Sequence, residues 1–345
     1  MTPTAPSRRH LLKAALAVPG LALLSSCASG TGAQQAATGT SSSTRGGTPL
    51  TIGLTYTPSI QFAPFYLAQD QGLLGVHQLR HHGAEEGLFD ALLSGTEHLV
   101  VAGGDEAIVA ASNGADLVVV GGFYQRYPVS VIVPQDSPVT DLPSLRGHSI
   151  GLPGRFGENW YALRLALHNA GLTEQDVQVQ EIGYTQQLAL STGKVDAVVG
   201  YSNNDAVQLN LGGTPVREIA IGEQVPLLGA SLVTSRSVLE AHRPELQALV
   251  VACAQGMTRF CDDPDAAVEI TRQHQPDLLD SEQSSRARAV AVATGDLIRP
   301  DDATTVGALV PEQVGQTIDF LRSHELLGTT AVSTDTVCDA LLTVG

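Results

Sequence analysis

Apolar positions gather first in one run, Ala14 to Leu24, eleven residues without a charged or hydrogen-bonding side chain. They then vanish: residues 28 to 48 hold only Gly, Ser, Thr, Gln, Ala and the single Arg45. From Pro49 onward, short β-rich apolar runs alternate with stretches of helical period, the signature of an α/β fold with largely parallel sheets. Strands are expected over Leu50 to Thr55, Gln78 to His82, Leu99 to Ala102, Leu117 to Val120 and Val129 to Val133. Helices are expected over Ala63 to Leu74, Glu86 to Leu93 and Asp105 to Ser112, the last with Asp105 as its N-cap. Near Asp141 the pattern restarts, with strands at His148 to Leu152, Val177 to Ile182, Val195 to Val199, Val216 to Ala220 and Ala230 to Thr234. Helices over Glu158 to Ala170, Gln186 to Thr192 and Asn203 to Leu211 fall between them. The remainder reads as almost wholly helical, with Pro244 in a first turn and Pro264 and Pro276 as breaks. The expectation is two βα lobes with two crossings and a helical C-terminal wrap. Residues 49–134 and 230–345 would form lobe 1 and residues 135–229 lobe 2.

The first apolar run is far shorter than the roughly 20 residues that span a bilayer, so it reads as the core of a signal peptide. Ser7-Arg8-Arg9-His10-Leu11-Leu12-Lys13 precedes it as a twin-arginine (Tat) leader, and Leu24-Ser25-Ser26-Cys27 follows it and resembles the bacterial lipobox. An ordinary secretory signal that happens to end in cysteine is the plainer account; the order and spacing of four features favour the lipobox. Residues 1–26 would then be removed and Cys27 lipid-modified. Residues 27–48, too poor in apolar groups to fold, would form a flexible tether. A multiply acylated anchor holds a protein stably at a membrane, here at the outer face of the cytoplasmic membrane.

Charge narrows the partners. The chain of 345 residues has a formal charge of −16, and removal of Arg8, Arg9 and Lys13 takes it to −19. A nucleic-acid binder needs a basic stripe, so none is expected. Lysine occurs only at Lys13 and Lys194. Beyond Cys27 the cysteines are Cys253, Cys261 and Cys338; the first two lie eight apart on one expected helix, too far to bridge. A bond from Cys338 to either, or three free thiols, both remain open.

Thr51-Ile52-Gly53-Leu54-Thr55-Tyr56-Thr57-Pro58 followed by Ala63-Pro64-Phe65-Tyr66-Leu67-Ala68-Gln69-Asp70-Gln71-Gly72-Leu73 resembles the opening of a known family. These are the substrate-binding proteins of ABC importers for pyrimidine precursors, nitrate and sulfonates, the NMT1-like group. The likeness continues through Gly103-Gly104-Asp105-Glu106-Ala107, Asp141 to Gly151 and Gly193 to Gly200, covering roughly residues 50 to 235. It implies a type II periplasmic-binding fold with ligand held between two lobes, a monomer that delivers its cargo to an ABC permease and ATPase, and no cofactor. The chain departs from the family at Val76 to His82, where a longer acidic turn is usual.

In open α/β sheets, ligands bind beyond the carboxyl ends of the strands. Of 15 aromatic residues, twelve lie in or beside those loops. Tyr56, Phe62, Tyr124, Trp160, Tyr184 and Tyr201 are expected to wall the cleft, since flat rings stack on flat ligands. Phe65, Tyr66, Phe123 and Tyr161 are expected to fill the core beneath. Polar candidates are Asp105, Glu106, Glu158, Asn159, Asn203, Asn204 and Asp205, which can bond to ring amines, ring N–H groups and ring carbonyls. Helix capping alone would equally explain Asp105, Glu158 and Asp205. Arg126 and Arg155 keep open an anion held near Gly154 to Glu158.

The expected ligand is therefore a nitrogen-containing aromatic, an aminopyrimidine thiamine precursor or riboflavin. Nitrate, a sulfonate or taurine is the alternative. A pyridoxal-dependent, pyrimidine-making enzyme shares the fold, but a Schiff base needs a lysine, and after export only Lys194 remains, at a helix end. A metal site is not expected either, because His81 and His82 are adjacent on a strand and point to opposite faces. A purely adhesive role would leave the strand-end aromatic residues unexplained.

Overall fold

The computed structural model describes residues 48–83 and 86–343; the leader, the lipobox and the tether expected at the N-terminus lie outside them. Two five-stranded sheets organise the fold, in the orders β2-β1-β3-β10-β4 and β7-β6-β8-β5-β9. The first sheet comprises β1 (Thr51–Leu54), β2 (Gln78–His81), β3 (Leu99–Gly103), β4 (Val118–Gly122) and β10 (Ala230–Thr234). The second comprises β5 (Val129–Pro134), β6 (Ser149–Leu152), β7 (Gln178–Glu181), β8 (Ala197–Tyr201) and β9 (Val216–Ile219). Sequence tracks the burial of each strand, even for β4, which lies at an edge of the first sheet. The apolar runs β3 and β4 are buried along their whole length, as a strand covered on both faces requires. The polar sequences QLRH of β2 and QVQE of β7 sit at edges and keep exposed positions.

Each sheet is parallel except for strands brought in at the crossings: β10 runs antiparallel to β3 and β4, and β5 antiparallel to β8 and β9. Strand β5 corrects one expectation. Residues 129 to 134 pair in the second sheet rather than closing the first, so the first crossing is the segment between β4 and β5, residues 123 to 128. The second lies between β9 and β10.

The helices follow the expected order with adjusted ends. They are α1 (Ala63–Asp70), α2 (Asp90–Leu93), α3 (Gly104–Ser112), α4 (Gly157–Ala170), α5 (Gln186–Ser191), α6 (Val207–Leu211), α7 (Arg236–Asp262), α8 (Pro264–Thr271), α9 (Ser281–Ile298), α10 (Pro311–Ser323) and α11 (Thr334–Val337). Helix α2 begins four residues late, at Asp90, and Glu86 before it pairs with Arg80 at 2.8 Å. Helix α7 breaks at His242 (φ −133°), which puts Pro244 in the opening turn of its second segment. The stretch expected as one helix from Asn203 starts instead as a π-helical turn, Ser202 to Ala206.

The first lobe's core gathers β1, β3, α1 and the inner faces of α7, α8 and α9. Above β1, the buried Glu97 takes Arg80 at 2.7 Å and His82 at 3.0 Å. A Cβ at Gly53 would stand 2.0 Å from Glu97 Oε2, so glycine there makes room for the pair. Cys253, Cys261 and Cys338 are all free; the bond left open for Cys338 is absent among the described residues.

Candidate functional site

The loops at the strand ends of the two lobes converge on three carboxylates. Asp105 and Glu106 open α3 just beyond β3, and the first two N–H groups of that helix donate to Gly229 O (2.9 Å) and Leu228 O (3.0 Å) on the second crossing. Both acids are thereby fixed to the hinge. Glu158 comes from the other lobe, in the first turn of α4.

Neither Asp105 nor Glu158 caps its helix: the N-cap positions are Gly103 and Phe156, and neither helix carries a side-chain cap. The two acids are held by phenols instead. Tyr127, on the first crossing, donates to Asp105 Oδ2 at 2.9 Å and approaches Glu158 O at 3.0 Å, joining the lobes through one hydroxyl. Tyr201, at the end of β8, donates to Glu158 Oε2 at 2.6 Å. The other carboxylate oxygen, Glu158 Oε1, is buried without a partner. Burial raises all three carboxyls above the usual range. Asp105 rises well above it, with Glu158 and Glu106 adding repulsion. Glu106 is pushed up to about 8 by burial and by Glu158, and Glu158 to about 7 by burial.

Asn203, in the π-helical turn, forms a second link between the lobes. Its Nδ2 donates to Thr294 Oγ1 on α9 at 2.8 Å and to Tyr124 Oη on the crossing at 3.5 Å, while its Oδ1 is buried and unpartnered. A cavity of about 630 Å³ opens beside the crossings and is lined by Tyr127, Asn203, Arg126, Glu218 and Asp296 among others. It shares Tyr127 with the carboxylate cluster and Asn203 with the second link.

The remaining candidates divide. Tyr56 and Tyr184 stand exposed, at 55% and 76%, on the loops after β1 and β7; partial loss of water around the Tyr184 phenol, then Glu106 and Tyr56, raise it. Asn204 is half-buried in the same turn as Asn203. Asp205 is used locally, accepting from Tyr201 N at 2.9 Å and Gln187 Nε2 at 3.1 Å, which shapes the π-helical turn rather than capping α6. Asn159 donates to Val199 O at 2.9 Å and pins α4 to β8.

Two aromatic residues expected in the cleft wall are elsewhere. Phe62 is buried in the first core with its ring edge-on to His81. Trp160 lies on the flank of α4, with Arg155 at 5.0 Å and Arg164 at 5.5 Å from its ring centre. Residues 158 and 161 share one helix face, and 160 is turned well away from it. Tyr161 is buried in the core as expected, with its phenol near the cluster, where burial, Asp105 and Glu106 raise it. Tyr127 and Thr294 were not among the chosen site residues. The aromatic character of the crossing pointed to the first; nothing in sequence links Thr294 to a turn some 90 residues away.

Neither arginine kept open for an anion faces the carboxylates. Arg155 pairs with Glu174 and with Glu181 (3.3 Å), and Arg126 is exposed and lines the cavity by the crossings. Among the described residues, no group of three or more potential metal ligands is present.

Two lobes, two crossings and a polar cleft between strand ends define a periplasmic-binding-protein fold, and comparison with known proteins agrees. Residues 59–267 match the model of the NMT1/THI5-like family, and the chain belongs to that family. It is 32% identical to the riboflavin-binding protein RibY of Chloroflexus aurantiacus over 236 residues, 66% of this chain and 67% of that one. Among solved structures, the alkanesulfonate-binding protein SsuA of Xanthomonas axonopodis pv. citri, bound to MOPS, matches with a TM-score of 0.64 at 23% identity, over 84% of this chain and 98% of SsuA. The desulfurization enzyme DSZB shares the fold at a TM-score of 0.56 and 16% identity, over 84% of this chain and 96% of DSZB.

Proposed function

We propose that this chain is the extracytoplasmic, lipid-anchored substrate-binding protein of an ABC importer, and that it captures an uncharged or cationic nitrogen-containing aromatic, riboflavin or an aminopyrimidine. It acts as a monomer, anchored through Cys27 to the outer face of the cytoplasmic membrane, and passes its cargo to a permease driven by an ATPase. The observation that carries the ligand class is the pair of buried acceptors without partners, Glu158 Oε1 and Asn203 Oδ1. An unpaired buried acceptor costs about 1–3 kcal/mol, and a ligand N–H or amino group removes that cost. Tyr56, Tyr184 and Tyr201 supply ring faces, and Asp105 and Glu106 complete an acid-rich wall. RibY's name supports a flavin in particular.

Binding proceeds by lobe closure, which a ligand favours only through its greater affinity for the closed form. A binding role also fits the scarcity of lysine: Lys194 is exposed. The alternative, a nitrate, sulfonate or taurine carrier, is supported by the fold shared with SsuA and opposed by the three carboxyls gathered at the strand ends.

Thermal denaturation with riboflavin, an aminopyrimidine, taurine and nitrate decides between them. A true ligand at 100-fold its Kd stabilises by about 2.7 kcal/mol, so riboflavin or the pyrimidine is expected to raise Tm by several degrees. A rise with taurine or nitrate and none with the aromatic ligands would reverse the assignment.

A further inference from the structure

A carboxylate of the first lobe rests on the end of a helix in the second. Glu106 Oε1 approaches Gly157, the first residue of α4, so closely that a Cβ built there would stand 2.6 Å from it. Gly157 has φ +67°, a conformation glycine adopts without penalty. Glycine therefore serves the turn and the close approach together. The Glu106 carboxyl accepts a hydrogen bond from the Gly103 backbone of its own lobe and reaches across to Gly157 of the other.

Among the described residues, no cation acts on Glu106. Asp105 is its neighbour on α3 and takes the Tyr127 hydroxyl from the crossing. Glu158 of α4 repels it, and Glu106 in turn raises the phenols of Tyr161 on α4, Tyr201 on β8 and Tyr184 in the loop before α5.

We propose that Glu106 is the charge selector of the cleft. Seated against Gly157 when the lobes meet, it excludes anionic ligands and admits uncharged or cationic ones. The selectivity rests on the binding role proposed above, but closure itself does not depend on the ligand's identity. Bringing Glu106 of one lobe against Glu158 of the other places like charges together. One proton shared between them relieves the repulsion and leaves the pair net negative, so closure of the ligand-free chain takes up a proton while the closed cleft still repels anions.

Two measurements test this. In small-angle scattering of the ligand-free chain, the radius of gyration is expected to fall between about pH 9 and about pH 5.5 as the carboxylates gain protons; in Glu106→Gln it stays small throughout. In calorimetric titration with taurine, Glu106→Gln is expected to bind roughly tenfold or more tightly than the wild-type chain. A wild-type radius that does not change with pH overturns the proposal without any variant having to fold. So does a folded Glu106→Gln protein with no gain in taurine affinity. Failure of riboflavin and the aminopyrimidine to bind the wild-type chain would overturn the ligand assignment alone, because neither measurement uses them.

Discussion

Tyr201 and Glu158 show how one hydroxyl divides the two oxygens of a carboxylate. Oε2 receives the phenol at 2.6 Å, and Oε1 is buried without a partner. Tyr201→Phe leaves both oxygens unpartnered, and a hydrogen bond to a charged group contributes about 1.5–3 kcal/mol. The unfolding free energy of the ligand-free chain in urea titration is expected to fall by about 1.5–3 kcal/mol, with the far-ultraviolet spectrum unchanged. Glu97 tests a different residue-scale device, away from the cleft. It is fully buried between His82, also buried, and Arg80, whose side chain is 35% exposed. Removing one member of a buried pair costs about 3–5 kcal/mol, and water screening on the Arg80 side reduces that. Glu97→Gln is expected to lower the unfolding free energy by about 2 kcal/mol in urea titration, with little effect on ligand affinity.

At the scale of elements, the junction of α3, α4 and the crossings is where packing and function meet. The N-terminus of α3 is satisfied by carbonyls of the second crossing, and α9 reaches the second lobe through Thr294 and Asn203. A π-helical turn between β8 and α6 makes this possible: Asp205 turns back to Tyr201 N and leaves Asn203 facing α9. Such turns are often found at functional sites. The start of α4 is the more sensitive point. Gly157→Ala places a Cβ at positive φ and within 2.6 Å of Glu106 Oε1. The backbone alone costs about 1–2 kcal/mol. A lower Tm is expected, together with a larger radius of gyration in scattering, because the new methyl group holds the lobes apart.

For the whole molecule, the raised carboxyls and the lowered ones act in opposite pH windows. Glu106 and Glu158 titrate near 8 and 7, above the ordinary value of 4.5. A group raised in the folded state stabilises fully below its unfolded pKa and loses that contribution as pH rises through its folded one. Their contribution is therefore lost from mildly acidic pH to about pH 8. Asp176 and Asp196 are lowered, mainly by backbone hydrogen bonds from Thr173 and Ser149. They stabilise above the usual aspartate range and lose that stability as pH falls through their depressed values. Thermal denaturation across pH is expected to give its highest Tm near about pH 5, between the windows, and to decline toward pH 8. Glu106→Gln should flatten that alkaline decline.

Hydrophobic periodicity was enough to place nearly every strand and helix and the existence of two lobes, because sheet cores demand apolar runs and helices demand a regular stripe wherever the chain is folded. Local sequence also marked Asp105, Glu106, Glu158, Tyr201 and Asn203, since residues at strand ends and helix starts lie next to a cleft in any fold of this kind. Direction was not legible. Trp160 and Tyr161 are neighbours in sequence, yet only the rotation of α4 against β8 puts Tyr161 by the carboxylates and Trp160 between two arginines. Nor could sequence assign β5 to the second sheet, because its apolar run suits either sheet and only its pairing with β8 and β9 distinguishes them. The sequence by itself determined the elements, the acidity and the scarcity of lysine. Tertiary structure decided which acids meet, because pairing between distant segments depends on how the lobes are joined, and that joining left Glu106 against Gly157 and Glu158 one acceptor short of a partner.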